Sequence, residues 1–238
     1  MMSITKDMGL LVLAHLFPPV CLACQRVEGV SSLTLGLCSN CHRQLDLLRD
    51  ATCPPLPSGH TGLDGLLSRW AYAPPFDSVI QALKFGRLEF LGRDLADSLH
   101  CLLTEQQELD IDVVIPIPLH WHRRLARGYN QAEAIASPLA KRLRRPMVHA
   151  LRRNRSTRPQ ALLGRRQRQV NLRRAFAVRR FGARRILNRR VLLVDDVVTT
   201  GATLVTAADC LRAAGAQSVL AVTAGRTPTT SGFASKPT

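Results

Sequence analysis

The chain has 238 residues, 46% of them hydrophobic and 21% charged, which is typical of a globular protein and excludes a fibrous or wholly disordered chain. Its formal net charge of +16 favours polyanionic partners, and none of its apolar runs is long enough to span a bilayer. The cysteine count of seven is odd, which argues against a disulfide framework and favours a reducing cytoplasm.

The first apolar run, residues 8–20, allows two interpretations. It has the length of a signal-peptide core, but Asp7 offsets the charge of Lys6, and no small-residue cleavage site precedes Cys21. These features favour an amphipathic helix that packs on the body of the protein.

Two C-x2-C pairs follow, Cys21 with Cys24 and Cys38 with Cys41. Each pair bends the chain so that two thiolates face one ion, and two pairs supply the four sulfurs of a tetrahedral Zn²⁺ site. The alternative is a set of free thiols on turns. Because four sulfurs leave no open coordination position, the ion would stabilise this segment and take no part in chemistry. The pattern predicts a small zinc-ribbon module.

A stretch rich in proline, residues 54–59, predicts a linker between an amino-terminal module, residues 1–60, and a main domain, residues 61–227. In the main domain, predicted strands and helices alternate, which is typical of a parallel α/β sheet flanked by helices. The strands are expected at residues 69–73, 113–118, 191–194 and 219–223, with weaker ones at 147–150 and 175–178. The helices are expected at residues 76–85, 90–103, 129–143 and 204–214. The polar tail, residues 228–238, predicts disorder.

The positive charge is concentrated in one segment, residues 134–194, which has 19 Lys or Arg residues and no Asp or Glu. The rest of the chain is net negative. A charge run is most simply a solvated face. This run leads into an acidic pair and a loop rich in hydroxyl groups, however, and it therefore favours a polyanionic ligand. Binding of single-stranded nucleic acid through its phosphates is one function that such a segment would serve.

The strongest functional motif is VLLVDDVVTTGAT, residues 191–203. Its four apolar residues predict a buried strand that ends at Asp195 and Asp196. A loop of small and hydroxyl residues then leads into the helix expected at 204–214. Unpaired N–H groups at a helix start favour phosphate, and Gly201 lets the backbone approach the anion. The two carboxylates suit sugar hydroxyls or a divalent metal. The alternative is a strand that ends in a solvated acidic turn.

This motif resembles the phosphoribosyl pyrophosphate (PRPP) binding motif of type I phosphoribosyltransferases. The resemblance implies that Asp195 and Asp196 hold the ribose hydroxyls, and that Mg²⁺ bridges these hydroxyls and the pyrophosphate. It also implies that a loop wraps the 5-phosphate, and the loop residues are Thr199, Thr200, Gly201, Ala202 and Thr203.

Over roughly residues 10–225 the chain also resembles the ComF family of competence proteins. The resemblance rests on motifs that follow one another in the family's order: the two cysteine pairs, Leu83-Lys84-Phe85, Pro116-Ile117-Pro118, Arg127-Gly128-Tyr129-Asn130-Gln131-Ala132 and the acidic motif. It implies a type I phosphoribosyltransferase fold and a role in DNA uptake during natural transformation or in nucleotide-linked metabolism, with DNA-uptake proteins as partners.

The resemblance implies further phosphate contacts. Residues 116–120 stand where related transferases have a pyrophosphate loop, and we expect Arg127, Arg158 and Arg168 to contact phosphate because a guanidinium grips two oxygens. Thr199 stands where purine-salvage enzymes often have a carboxylate that contacts the base, and its hydroxyl cannot serve as an acid or base at neutral pH. Two functions stay open: a phosphoribosyltransferase, and a non-catalytic protein that binds single-stranded nucleic acid.

Overall fold

The computed structural model describes residues 20–27, 34–48, 62–86, 88–106, 109–119, 125, 127–153 and 175–228. The helix expected in residues 8–20, the linker at 54–59 and nearly all of the expected tail lie outside these ranges. Arg158 and Arg168 lie outside them too. Within the described ranges, no helix is both long enough and apolar enough to cross a bilayer.

Helices and strands alternate along the described chain, as the sequence predicts. In order they are α1 (Ser39–Arg43), β1 (Gly65–Ala71), α2 (Phe76–Phe85), α3 (Leu91–Glu105), β2 (Val113–Pro116), α4 (Gln131–Arg142), β3 (Leu151–Arg153), β4 (Phe176–Val178), α5 (Arg180–Ile186), β5 (Arg190–Val198), α6 (Ala202–Ala213) and β6 (Ser218–Arg226).

The main sheet is parallel and has the strand order β1-β6-β5-β2. Strands β3 and β4 form a separate antiparallel pair. Successive side chains of β5 enter two different cores: Leu192 and Val194 pack with α2, α3 and α4, whereas Val191 and Leu193 pack with α5, α6 and the β3-β4 pair. Burial on both faces explains why the central strands are continuous apolar runs.

The four-cysteine segment packs on the main domain. Leu35 and Leu37 are almost fully buried in the core that also contains α2 and α3. Residues 46–48 run antiparallel to β1, where the backbone N–H of Ala71 donates to the carbonyl of Asp46 at 2.9 Å and that of Leu48 donates to Arg69 at 3.0 Å. The segment therefore shares a core with the sheet.

Several strand boundaries differ from the prediction, and among them β2 ends at Pro116 and β6 extends from Ser218 to Arg226. β1 begins at Gly65, because its first residues pair with β6. Residues 147–150 make one isolated bridge, Met147 to Val114, and the strand follows at residues 151–153. β5 does not end at the acidic pair but continues through Val198, since its residues from Asp195 onward remain paired with β6. Pairing with a neighbour overrides the low strand propensity of aspartate.

Candidate functional site

A cavity of about 200 Å³ lies at the carboxyl ends of β2 and β5, where parallel α/β sheets place their ligands. It brings together residues that are far apart in sequence, and three of its lining side chains are basic and two are acidic. The described lining residues are Lys84, Ile117, Pro118, Leu119, Arg127, Asn130, Gln131, Ala132, Arg153, Asp195, Asp196, Val197 and Thr203.

The two carboxylates are partly buried. The backbone N–H of Asp196 donates to Asp195 Oδ1 at 2.9 Å, and that of Val197 donates to Asp196 Oδ1 at 2.7 Å. Burial, together with the nearby Asp196 carboxylate, raises the pKa of Asp195 well above its ordinary value, and the positive charge of Lys84 opposes this shift. A ligand that supplies positive charge or hydrogen-bond donors would therefore stabilise the two adjacent carboxylates.

Lys84, in the last turn of α2, supplies part of that positive charge. Its Nζ lies 3.1 Å from Asp196 Oδ2, and the two side chains are 19% and 13% exposed. The same Nζ lies 5.9 Å from the centre of the Tyr72 ring. The sequence analysis identified the motif Leu83-Lys84-Phe85 but gave Lys84 no role in the site.

Arg127, one of the predicted phosphate ligands, is in the cavity wall. Its Nη1 donates to Gln131 Oε1 at 3.1 Å, and its guanidinium carbon lies 5.0 Å from the centre of the Phe85 ring. These contacts hold the planar group in place. The structure thus brings Arg127 into the same cavity as Asp195 and Asp196.

Asn130 is a site residue to which the sequence analysis gave no role. Its side chain is 8% exposed and lines the cavity. The amide nitrogen Nδ2 donates to the carbonyl of Ile117 at 3.0 Å, while the buried Oδ1 accepts no hydrogen bond within the described part of the chain. A buried acceptor without a donor is costly, so a ligand hydroxyl or N–H at this point would be stabilised.

The predicted phosphate loop joins β5 to α6. Thr199 and Thr200 are exposed, Gly201 is buried, and Thr203 lines the cavity. Gly201 has a φ of +74°, and a Cβ atom added to it would come no closer than 4.0 Å to Val198. Glycine is therefore required by the left-handed backbone and not by lack of space. Ala202 begins α6, a 12-residue helix, so the first backbone N–H groups of the helix lie beside the cavity.

The four predicted metal ligands meet at one point. The sulfur atoms of Cys21, Cys24, Cys38 and Cys41 all lie within 4.8 Å of one another, and Cys24 Sγ is 3.8 Å from Cys38 Sγ. A tetrahedron with Zn–S bonds of about 2.3 Å has edges of about 3.8 Å, so this separation fits the ion.

The thiol environment also fits metal binding. Backbone N–H groups point at the sulfurs: that of Cys38 donates to Cys21 Sγ at 3.3 Å, and that of Cys41 to Cys38 Sγ at 3.5 Å. Burial raises the pKa of the Cys21 thiol, but hydrogen bonds from three backbone groups outweigh it and lower that pKa to about 6. Burial and the three neighbouring cysteines raise the pKa of Cys41 to about 12, so the thiols share their negative charge unequally. A thiolate is the form that binds metal. Four cysteine sulfurs are the donor set that closed structural zinc sites use.

Comparison with known proteins places the chain in a family. Residues 127–236 match the phosphoribosyl transferase domain. The DNA utilization protein YhgH of Escherichia coli O6:H1 is 33% identical over 205 residues, which cover 77% of this chain and 87% of that protein. Competence protein F of Haemophilus influenzae is 31% identical over 202 residues, again 77% of this chain and 87% of that protein.

Among solved structures, a glutamine PRPP amidotransferase from B. subtilis aligns over 56% of this chain and 26% of that chain, with 20% identity and a TM-score of 0.39, a similarity too low to bear on function. The family match agrees with the fold described above, in which a parallel sheet flanked by helices follows a four-cysteine module. The chain therefore belongs to the ComF family, whose main domain has the type I phosphoribosyltransferase fold.

Proposed function

We propose that the cavity at the carboxyl ends of β2 and β5 binds PRPP with Mg²⁺. The observation that carries the proposal is the meeting of Asp195, Asp196, Lys84 and Arg127 beside the start of α6. Basic side chains outnumber acidic ones in the described lining, which suits a ligand that is anionic overall. The acidic pair suits the part of that ligand that carries hydroxyl groups.

Each end of the ligand has a matching group. Asp195 and Asp196 would accept hydrogen bonds from the two ribose hydroxyls, and these donors would offset the burial and the repulsion from Asp196 that together raise the pKa of Asp195. The loop at residues 199–203 would bind the 5-phosphate through backbone N–H groups and the positive end of α6. Asn130 Oδ1 would accept a further hydrogen bond from the sugar.

The pyrophosphate would lie toward Arg127, whose guanidinium can grip two oxygens, with Arg158 and Arg168 as further candidates. Asp195 and Asp196 have the oxygen ligands that Mg²⁺ prefers, and the bound ion would neutralise charge on the pyrophosphate as it leaves. Lys84 would keep the Asp196 carboxylate in position for this arrangement. Transfer of the phosphoribosyl group would then depend chiefly on positioning and electrostatics.

Calorimetric titration of PRPP, with and without Mg²⁺, tests this proposal. The variant Asp195→Asn with Asp196→Asn keeps side-chain shape and should lose Mg²⁺-dependent binding. Gly201→Val should weaken binding because valine disfavours the left-handed conformation that the loop requires. A matched control, Glu105→Gln with Asp110→Asn, removes the same charge from exposed positions and should bind like the wild type. Wild-type affinity in the acidic-pair variant, with an unchanged circular dichroism spectrum, would refute the proposed ribose contacts.

We propose as a second function the binding of single-stranded DNA in the cytoplasm, together with DNA-uptake proteins. Two relatives support it by name, a DNA utilization protein and a competence protein. The basic segment at residues 134–194 supports it independently, because sequence-independent affinity for nucleic acid comes mainly from phosphate neutralisation. Affinity should fall steeply with salt, and charge reversal at Arg165, Arg166 and Arg168 should flatten that dependence. An affinity that stays level as salt rises would contradict this function.

We also propose that residues 1–60 form a module held by one structural Zn²⁺ at the four cysteines, ahead of a phosphoribosyltransferase-like domain at residues 61–227. The sulfur separations support this site. Because the segment buries its apolar residues against the sheet, loss of the metal should destabilise that shared core as well. Elemental analysis of protein purified without chelators tests the site, and protein without stoichiometric zinc would contradict it.

A further inference from the structure

A second pocket, of about 590 Å³, lies at the amino ends of β2 and β5, at the opposite end of these strands from the proposed PRPP cavity. It is bounded by the start of β2, the residues after α4, helix α5 and the residue before β5. Arg190, at the amino end of β5, is six residues from Asp196 along the strand, which corresponds to a separation of about 20 Å. The lining residues are Asp112, Val113, Arg145, Pro146, Val148, Phe181, Arg184, Arg185 and Arg189. We call this site the arginine pocket.

The arginine pocket has a large excess of positive charge. Four of its lining residues are exposed arginines, and Asp112 is its one acidic lining residue among those described. Within the described ranges, no carboxylate lies within ion-pair distance of Arg145, Arg184 or Arg185. Like charges that gather on three different segments repel one another, and an anionic ligand would relieve that repulsion.

The charge of Asp112 is already balanced by a residue outside the pocket lining. Arg190 donates to Asp112 through Nε at 3.0 Å, through Nη2 at 3.0 Å and through its backbone N–H at 2.9 Å. These hydrogen bonds hold the pKa of Asp112 far below its ordinary value, with a smaller coulombic contribution from Arg189. The carboxylate is therefore committed to Arg190 and leaves most of the arginine charge uncompensated.

An aromatic side chain lies beside these arginines. Phe181 is 72% exposed, and the guanidinium carbon of Arg185 lies 5.3 Å from its ring centre. Guanidinium groups bind phosphates, and an exposed aromatic ring stacks on an unpaired base. A base in a duplex is already stacked on its neighbours, so this combination selects a single strand.

We propose that the arginine pocket binds the backbone phosphates of single-stranded nucleic acid, with Phe181 stacking on a base. The proposal rests on the second function given above and assigns it a surface that is separate from the PRPP cavity. The pocket volume is in the range of sites that take small ligands, which suits one nucleotide unit of a strand. Neighbouring phosphates would extend across Arg145 and Arg189 at the rim.

Fluorescence anisotropy of a labelled oligothymidine, measured from low to moderate salt, tests the proposal with the full-length protein. Arg184→Gln with Arg185→Gln should lower the magnitude of the log-log salt slope by about 1.4, since each phosphate contact to a single strand contributes about 0.7. Phe181→Ala should weaken binding about tenfold with little change in the slope. All three positions are exposed, so these variants should fold.

A charge-matched control is Arg26→Gln with Arg43→Gln, which removes two exposed arginines from the cysteine segment. That segment packs on the other face of the sheet from α5, so its variant should bind DNA nearly as the wild type does. Equal losses in the control and the pocket variants would refute the arginine pocket. Complete displacement of the oligonucleotide by stoichiometric thymidine monophosphate would also refute it, because that result would indicate a mononucleotide site.

The two proposed sites can be separated in the same preparations. The Arg184 and Arg185 variant should retain PRPP binding, and the Asp195 and Asp196 variant should retain DNA binding. If wild-type protein fails to bind PRPP while the pocket variants lose DNA, the cavity proposal fails and the arginine pocket stands. If the wild type binds PRPP while the pocket variants bind DNA as the wild type does, the arginine-pocket proposal fails and the cavity proposal stands.

Discussion

The ion pair between Lys84 and Asp196 offers a direct test of how the cavity is held together. Lys84→Met removes the ammonium while keeping much of the side-chain volume. At 3.1 Å and an effective dielectric constant near 20, the direct attraction is about 5 kcal/mol. Much of this is offset by the desolvation of both groups, although leaving one partner of such a pair alone still costs about 3–5 kcal/mol when burial is complete.

We expect a loss of about 2–3 kcal/mol in the free energy of unfolding at pH 8, because both side chains are partly exposed and water solvates the carboxylate that is left. For a chain of this size the loss corresponds to a Tm lower by roughly 5–10 °C. Urea unfolding followed by circular dichroism measures the first quantity, and a thermal scan measures the second.

The loss should depend on pH. Lys84 lowers the pKa of Asp195, so its removal raises that pKa further above the value in the unfolded chain. A carboxyl group with a raised folded-state pKa destabilises the fold progressively as pH rises above its unfolded pKa, because the unfolded chain releases its proton first. The difference between wild type and Lys84→Met should therefore be larger at pH 8 than at pH 5.

Lys141→Met is the matched control, because Lys141 is exposed in the last turn of α4. Its effect should stay within about 0.5 kcal/mol of zero. A double-mutant cycle with Asp196→Asn isolates the pair itself and should give a coupling energy above about 1 kcal/mol. If Lys84→Met and Lys141→Met behave alike at pH 8, or if the coupling is near zero, our account of the cavity is incorrect.

Three further predictions concern the metal site, the acidic pair and the sheet. Cys24→Ser should lower the zinc content of purified protein well below one ion per chain, and elemental analysis showing full occupancy would contradict this. Asp195→Asn should raise the Tm, and by more at pH 8 than at pH 5, since it removes a carboxyl group whose pKa is raised by burial; a lower Tm at pH 8 would contradict the pKa argument. Ser68 Oγ lies 2.7 Å from Thr223 Oγ1 in the core, so Thr223→Val should cost about 1–3 kcal/mol by leaving a buried hydroxyl unpaired, whereas adding Ser68→Ala should restore most of that loss in urea unfolding.

Features that depend on the local pattern of residues could be predicted from the sequence. The helix expected at residues 76–85 has the bounds of α2, and the parallel sheet follows from alternating apolar strands and amphipathic helices. The cysteine spacing predicted the cluster at which the four sulfurs meet. The left-handed glycine at the start of α6 also matches its motif. In each case a short stretch of sequence contains the whole physical cause.

Features that depend on contacts between distant segments could not be predicted in this way. The partnership of Lys84 with Asp196 exists because the end of α2 approaches the end of β5. The orientation of the Asn130 amide results from the hydrogen bond that its Nδ2 donates to the carbonyl of Ile117 in the loop after β2. The burial of the acidic pair results from continued pairing of β5 with β6, which no local propensity indicates.

The extension of β5 through its acidic residues has a consequence for how ligand binding would be felt in the molecule. These carboxylates sit on a central strand, beyond its last residue pair with β2 but within the part that is paired with β6, and the amides of Asp196 and Val197 donate to the carboxylates themselves. Because opening at this point would separate β5 from β6, we expect the amide hydrogens of β5 to exchange mainly in large-scale unfolding events. A ligand at a hundred times its Kd would raise the free energy of those events by about 2.7 kcal/mol. Bound ligand should therefore slow amide exchange in the β2, β5 and β6 strands together. Amide-exchange measurements would then detect occupancy of the cavity across the whole sheet.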